Sequence, residues 1–321
     1  MDRREFWFGL CGVLVAALPA AANVNEVKIG FLSWFPPNST ADLDNFRKGM
    51  TQFGYVEGRN YRIEPHLIAG DPTAARAAAA KMVAEPVDIL VAVATPAIHV
   101  AKEATQTIPI VMYTANALAT GLVSSLSHPG GNITGVSLLM TDLAGKRLDL
   151  LRQIRPGLHT VGFLGSTRDP NGATFAHETQ TAADRLGIAL TIRMIDGPQA
   201  IDQAIFDQMK QQGCEAVIVQ PIFTGFQDKI VPLAMQDSLP VVSDWADFTD
   251  AGGLLSYGAK RAGLMRRTAY YVDRILKGAK PADLPIEQPE EFELVINAQT
   301  AAKLGWTIPP DLAVRADRVI E

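Results

Sequence analysis

Cysteine, aromatic residues and runs of basic residues are all scarce in this 321-residue chain. Only two cysteines occur, Cys11 and Cys214, which excludes a disulfide framework. Cys214 begins an apolar run, so we interpret it as a small buried residue. The net charge is -5 and no Lys/Arg cluster occurs, so we expect neither nucleic acid nor an anionic membrane as a partner.

Motifs of catalysis, nucleotide binding and metal binding are also missing. The sequence has no G-x-S-x-G and no G-x-x-x-x-G-K-[ST], and its "GFLG" is not a dinucleotide fingerprint. Its histidines are neither four residues apart nor near a cysteine pair; they are His66, His99, His128, His159 and His177. We therefore predict a protein that is not an enzyme and has no cofactor or metal. A hydrolase stays an alternative, because catalytic triads assemble across a fold.

The amino terminus has the pattern of an export signal. Arg3 and Arg4 precede an apolar run over residues 6–18, and small residues follow at 20–22. That run is shorter than the roughly 20 apolar residues of a membrane-spanning helix, so we predict a cleaved signal over residues 1–22 and a periplasmic location. The arginine pair also resembles a twin-arginine signal.

An internal repeat follows. Short β-branched runs alternate with segments of helical period, which predicts an α/β fold with parallel sheets. Three segments recur in order: Gly30–Ser33 with Gly162–Gly165, Val87–Pro96 with Cys214–Pro221, and Ile108–Thr114 with Leu239–Trp245. The offset is nearly constant, 132 residues from Gly30 to Gly162 and 131 from Pro109 to Pro240. We therefore predict two similar Rossmann-like lobes.

Three segments are suited to crossing between such lobes. They are "HPGGNITGVS", "GGLLSYGA" and "GAKPADLPIEQP", which are rich in Gly or Pro. We predict a three-segment hinge, with a first lobe of residues 23–136 and 259–287 and a second lobe of residues 137–258 and 288–321.

The predicted binding site lies in the cleft between the lobes. In open parallel sheets, ligands bind beyond the carboxyl ends of the strands, and sites between domains are favoured for small molecules. The Thr95-Pro96 pair has the pattern of a helix start, whose free N–H groups suit a carboxylate, although Thr95 alternatively only caps its own helix. The loop after the first strand of the second repeat places Ser166 before a helix, and we expect Arg168 there to make a bidentate contact.

Other candidates are an acidic residue and a set of aromatic residues. Asp244 is suited to an ammonium group, while Asp169 or Asn171 is suited to capping a helix. Aromatic residues gather at strand ends, which predicts an aromatic-lined cleft. The predicted ligand-binding residues are Ser33, Trp34, Thr95, Pro96, Tyr113, Thr114, Ser166, Thr167, Arg168, Asn171, Phe223, Asp244, Trp245 and Tyr257. We expect His99 to be a helix residue without chemistry.

The hinge segments and the carboxyl-terminal run carry a family resemblance. "HPGGNITGVS", "GGLLSYG" and "RRTAYYVDRILKGAKPADLPIEQPEEFELVINAQTAAKLGWTIPPDLAVRADRVIE" resemble the tryptophan-binding and related periplasmic substrate-binding proteins of ABC transporters. The resemblance covers the whole chain after the signal. It implies a type I periplasmic-binding (Venus flytrap) fold that captures a small solute and hands it to ABC permease subunits served by a separate ATPase. The loop "STRDPN" departs from the Asn-Pro-rich turn expected there, so the ligand stays open.

From these observations we predict a monomeric solute receptor of an ABC importer, with a small carboxylate, either an amino acid or an aromatic acid, as its ligand. A periplasmic sensor that signals to a kinase has the same fold and stays an alternative.

Overall fold

The computed structural model describes residues 26–321, and the predicted signal over residues 1–22 lies outside them. Two sheets with helices on both faces form the core of this part of the chain. None of its helices combines the length and the apolar character needed to cross a membrane.

The first lobe is built on a five-stranded parallel sheet with strand order β2-β1-β3-β4-β5. Its elements are β1 (Val27–Ser33), α1 (Ala41–Gln52), β2 (Tyr61–Leu67), α2 (Pro72–Ala84), β3 (Ile89–Val93), α3 (Thr95–Ala104), β4 (Ile110–Thr114) and β5 (Ile133–Ser137). Every residue of β3, β4 and β5 is buried, because helices cover both faces of the sheet.

The second lobe is built on a seven-stranded sheet with strand order β7-β6-β8-β9-β10-β11-β12, in which β11 runs antiparallel to β10. Its elements are α4 (Ala144–Ile154), β6 (Thr160–Ser166), α5 (Gly172–Leu186), β7 (Ala189–Ile195), α6 (Gln203–Gln211), β8 (Ala216–Val219), α7 (Gln227–Gln236), β9 (Val241–Ser243), α8 (Ala246–Asp250), β10 (Leu255–Ala259), β11 (Phe292–Asn297), α10 (Ala298–Lys303), α11 (Pro310–Arg315) and β12 (Arg318–Ile320). Helix α9 (Arg261–Leu276) leaves this lobe between β10 and β11.

The two sheets repeat one arrangement, which confirms the predicted pair of similar lobes. Five strands of each sheet follow the order second, first, third, fourth, fifth along the chain. The repeat extends to packing: a Cβ added to Gly30 would meet Met82 Sδ at 2.8 Å, and one added to Gly162 would meet Met209 Sδ at 2.7 Å. The first strand of each lobe therefore carries a glycine where a methionine packs onto it.

The chain crosses between the sheets at three places within residues 26–321. It leaves β5 for α4, leaves β10 for α9, which packs along α1, and returns to the second sheet at β11. Hydrogen bonds tie these segments together: Ser137 N–H donates to Glu287 O at 2.9 Å, and Lys260 N–H donates to Glu291 O at 3.0 Å. The crossings therefore lie side by side.

The predicted helix start after Ser166 and the repeat of the Thr95-Pro96 element at Pro221 both differ in the structure. Ser166 is the last residue of β6, and five loop residues separate it from α5. Pro221 opens only a single 3-10 turn, and α7 starts at Gln227. The helical backbone ends at Thr224, whose ψ is 135°, and Gly225 then adopts φ +90°. Only the first lobe therefore has a helix directly after its third strand.

Candidate functional site

A small cavity of about 30 Å³ lies where the strand ends of the two lobes meet. Its lining residues come from both lobes and from the segment after β5; they are Phe35, Ala94, Thr95, Tyr113, Thr114, Ala115, Leu138, Met140, Asp169, Pro221, Ile222 and Trp245. Four predicted site residues, Thr95, Tyr113, Thr114 and Trp245, are among them. The carboxyl ends of the parallel strands thus bring residues from distant parts of the sequence to one place, as predicted for the ligand site.

Hydroxyl groups form one end of the cavity. Thr95 Oγ1 lies 2.8 Å from Thr114 Oγ1, and Asn171 Nδ2 of the second lobe donates to Thr95 Oγ1 at 2.7 Å. Two hydroxyl groups carry two protons, and the bond between them uses one. The other proton is available to an acceptor in the cavity, so this end of the cavity is a hydrogen-bond donor.

The start of α3 adds to that donor character. Thr95 and Pro96 form its first turn, where N–H groups have no acceptor within the helix. The preceding residue, Ala94, has φ +72° and ψ 146°, a region that residues other than glycine avoid. Ala94 is held there because its N–H donates to Tyr113 O at 2.9 Å and its carbonyl accepts from Ile98 N–H at 3.2 Å. These two hydrogen bonds thus hold the backbone of Ala94 in a strained conformation at the end of β3.

Asp169 forms an acceptor on the second lobe. It lines the cavity and is 6% exposed. Its Oδ1 accepts from Asn171 N–H at 3.0 Å and its Oδ2 accepts from Gln220 Nε2 at 2.6 Å. Gln220 is oriented by Ser166, whose N–H donates to Gln220 Oε1 at 2.8 Å. Burial raises the pKa of Asp169 to about 7, against the lowering effect of the Asn171 N–H.

Asp244, which we expected to meet an ammonium group, lies outside the cavity lining. Its carboxylate accepts from Arg147 at 2.6 Å, and both side chains are buried. Arg147 also donates to Met140 O at 3.0 Å and Tyr257 O at 3.2 Å. Burial raises the pKa of Asp244 to about 6, while Arg147 lowers it. Asp244 is therefore already paired with a cationic side chain of the protein, Arg147, instead of facing a ligand ammonium group in the cavity.

The loop after β6 also differs from the expectation. Arg168 pairs with Asp196 and donates to Gly70 O of the first lobe at 3.2 Å, so its guanidinium joins the lobes away from the cavity lining. Thr167 is exposed, and Ser166 Oγ accepts from Arg168 N–H at 3.2 Å. Asn171, in contrast, reaches the site through Thr95.

The remaining candidates are packing residues around the site. Ser33 Oγ accepts from Phe35 N–H at 3.3 Å, which orients a lining aromatic residue. Trp34 and Phe223 are buried but do not line the cavity. Tyr257 stacks on a neighbouring strand residue, Phe292, with ring centres 6.2 Å apart. None of these four candidates is among the residues that line the cavity.

Arg261 joins the lobes at the edge of the cavity. Its guanidinium donates to both carboxylate oxygens of Asp42 in the first lobe, at 2.8 and 2.9 Å, and to Asp247 in the second lobe at 2.8 Å. It also lies 5.9 Å from the ring centre of Phe35 and 5.2 Å from that of Trp245. One side chain thus contacts a lining aromatic residue from each lobe.

The isolated histidine and cysteine lie where the sequence predicts. His99 is a residue of α3 that does not line the cavity, and burial is the main cause that lowers its pKa. Cys214 is buried, as predicted. In the described part of the chain no three His, Cys, Asp or Glu residues are grouped so that they could hold a metal ion.

Residues 37–320 match the family described as ABC transporter substrate binding protein. A crystal structure from Streptococcus pneumonia, an ABC domain in complex with L-Trp, is 27% identical with a TM-score of 0.84 and covers 92% of this chain and 100% of that chain. A conserved domain protein from Vibrio cholerae is 26% identical with a TM-score of 0.83, covering 91% of this chain and 99% of that one.

A tyrosine-binding protein of Clostridioides difficile (strain R20291) is 24% identical over 260 residues, which are 81% of this chain and 75% of that protein. Solved structures of periplasmic and leucine binding proteins share the architecture, which confirms the predicted type I periplasmic-binding fold. Because the family match spans nearly the whole described chain, this protein belongs to the ABC transporter substrate binding proteins.

Proposed function

We propose that this chain is the solute-capturing component of an ABC importer and that its ligand is a small carboxylate, either an amino acid or an aromatic acid. The observation that carries this proposal is the cavity between the lobes, with hydroxyl donors at one end and aromatic walls. The captured solute passes to permease subunits served by a separate ATPase. We place the protein in the periplasm, after removal of the signal over residues 1–22, and expect it to act as a monomer.

Thr95 and Thr114 are the proposed partners of the ligand carboxylate. Their hydroxyl groups, linked at 2.8 Å, have one proton to donate, and the start of α3 adds a positive dipole end. Tyr113 and Trp245 are the proposed contacts of an apolar or planar part. One relative is described in complex with L-Trp and another as a tyrosine-binding protein. These descriptions support an amino acid or aromatic ligand here.

The size of the cavity supports capture by lobe movement. About 30 Å³ is much less than the roughly 150 Å³ that accommodates benzene. A ligand of amino-acid size therefore needs the lobes to separate or the aromatic walls to move. Closure stabilised by ligand contacts in both lobes is how a hinged receptor binds.

We also propose that the lobes divide as the sequence predicts, with residues 23–136 and 259–287 in the first and residues 137–258 and 288–321 in the second. Support comes from β5, which pairs with β4 in the first sheet, and from β11, which pairs with β10 in the second. With this division, the crossing segments that lie side by side at Ser137 and Lys260 form the hinge.

A receptor needs no reacting group, and the cavity lining has neither a Ser–His pair nor a cysteine. A sensor that signals to a kinase has the same fold, and a hydrolase is distinguished by turnover of the bound molecule. A kinase gene beside this one, in place of a permease gene, would favour the sensor.

Two measurements test the proposal. Mass spectrometry of the molecule that co-purifies with the protein is expected to identify a small carboxylate, recovered unchanged. A thermal-shift screen is expected to show stabilisation by carboxylates. If only cations or neutral sugars stabilise the protein, the proposed ligand class is wrong.

A further inference from the structure

This inference rests on the proposed function and narrows its ligand class. We propose that Asp169 receives the ammonium group of the ligand, and that the natural ligand is therefore an α-amino acid rather than an aromatic acid without an amine.

Asp169 differs from every other buried aspartate of residues 26–321. Four aspartates are buried in that part of the chain. Three of them pair with a cation of the protein: Asp42 with Arg261, Asp244 with Arg147, and Asp273 with Lys277. Asp169 has only the hydrogen bonds from Asn171 and Gln220. Since a buried charge is costly without a partner, a cation from outside the protein is the missing component.

The carboxylate has room for that cation. An ionised carboxylate offers about four lone-pair sites, and two of those on Asp169 are used. Asp169 also lines the cavity, where the proposed ammonium group would meet its remaining acceptor capacity. Gln220 and Asn171 fix both oxygens, so no rotation of the carboxylate is needed on binding.

Asn171 places this acceptor beside the carboxylate-binding end. Its backbone N–H donates to Asp169, while its side-chain Nδ2 donates to Thr95. Asn171 therefore links the donor end of the cavity, at Thr95, with the acceptor end, at Asp169. Asn171 Oδ1 is buried without a hydrogen-bond partner, which adds acceptor character next to Asp169. Adjacent acceptors and donors complement a molecule whose ammonium and carboxylate groups share one carbon atom.

The test compares matched ligands by isothermal titration calorimetry on the exported chain, freed of ligand by unfolding and refolding. A thermal-shift panel of the L-amino acids identifies the tightest binder. Its des-amino analogue has the same skeleton, as 3-(indol-3-yl)propanoate has for L-tryptophan. We expect the wild-type protein to bind the analogue at least about 100-fold more weakly, because a site built for a polar group rejects a ligand that lacks it.

The substitution Asp169→Asn tests the residue itself. It is expected to weaken binding of the amino acid by at least about 30-fold and to change binding of the des-amino analogue by less than about threefold. Asp184→Asn, which removes the same charge from the exposed side of α5, is the matched control and should bind as the wild type does.

Equal affinity of the wild-type protein for amino acid and analogue would overturn the inference, and this comparison needs no variant to fold. Unchanged amino-acid binding by Asp169→Asn would overturn it as well. If carboxylates without an amine bind and no amino acid does, the inference fails while the proposed function stands. If no carboxylate of either kind binds, the proposed function fails together with it.

Discussion

Asp169→Asn is expected to make the ligand-free protein more stable at pH 8, although it removes a proposed ligand contact. Burial raises the pKa of Asp169 from 3.8 to about 7. The folded protein therefore holds this proton more tightly than the unfolded chain does. The free energy of unfolding must then fall as the pH rises from about 4 to about 7. An asparagine at this position has no charge and abolishes that dependence.

The pKa difference fixes the magnitude. A rise from 3.8 to about 7 corresponds to about 4 kcal/mol at pH values above 7. Linkage predicts that between pH 5 and pH 8 the wild-type protein loses about 2–3 kcal/mol of stability relative to the variant. The variant cannot accept from both the Asn171 N–H and Gln220, which costs about 1–3 kcal/mol. That cost is the same at every pH, so it shifts the curve without changing its slope.

The assay is urea unfolding of ligand-free protein, followed by circular dichroism at pH 5, 6, 7 and 8. The stability difference between Asp169→Asn and wild type should grow from pH 5 to pH 7 and level off towards pH 8, while Asp184→Asn should track the wild type. A difference that stays constant across this range would refute the reasoning, because it would mean that Asp169 titrates alike in the folded and unfolded states.

Three further predictions concern the lobes and the ligand. Thr95→Val should weaken ligand binding about tenfold in calorimetry, since it removes a donor hydroxyl, and unchanged affinity would exclude Thr95 from the site. Asp247→Asn removes an ion pair between the lobes, so small-angle scattering should show a larger radius of gyration without ligand; Asp250→Asn on the same helix is the control, and equal radii would contradict the role. Arg147→Ala leaves a buried aspartate unpaired and should lower the free energy of unfolding by about 3–5 kcal/mol in urea; a loss below about 1 kcal/mol would contradict this.

The lobes could be predicted from the sequence because local patterns specify them. Buried strands read as short apolar runs, and the fully buried β3 (Ile89–Val93) lies within the repeated segment Val87–Pro96. The rule that ligands bind at strand ends located Thr95 and Trp245 in the cavity. Both inferences depend on the periodicity of apolar residues along the chain, from which parallel sheets can be inferred. A single sequence shows that periodicity.

Pairings across the fold could not be predicted in this way. Arg147 and Asp244 are 97 residues apart, and nothing local shows that they meet in the interior. Asp169 has the pattern of a helix cap, and only the burial of its loop shows that it lines the cavity. Arg168 likewise pairs with Asp196, a residue beyond the neighbouring strand. Which of several acidic residues is left without a cation depends on three-dimensional distances.

The contact between Arg261 and Trp245 has an optical consequence. Trp245 is 3% exposed, and the guanidinium over its ring is held by one carboxylate from each lobe. Separation of the lobes would therefore admit water to the indole and remove a cation from its face. Both changes alter indole emission, so the protein contains an intrinsic fluorophore whose spectrum reports closure without any attached dye.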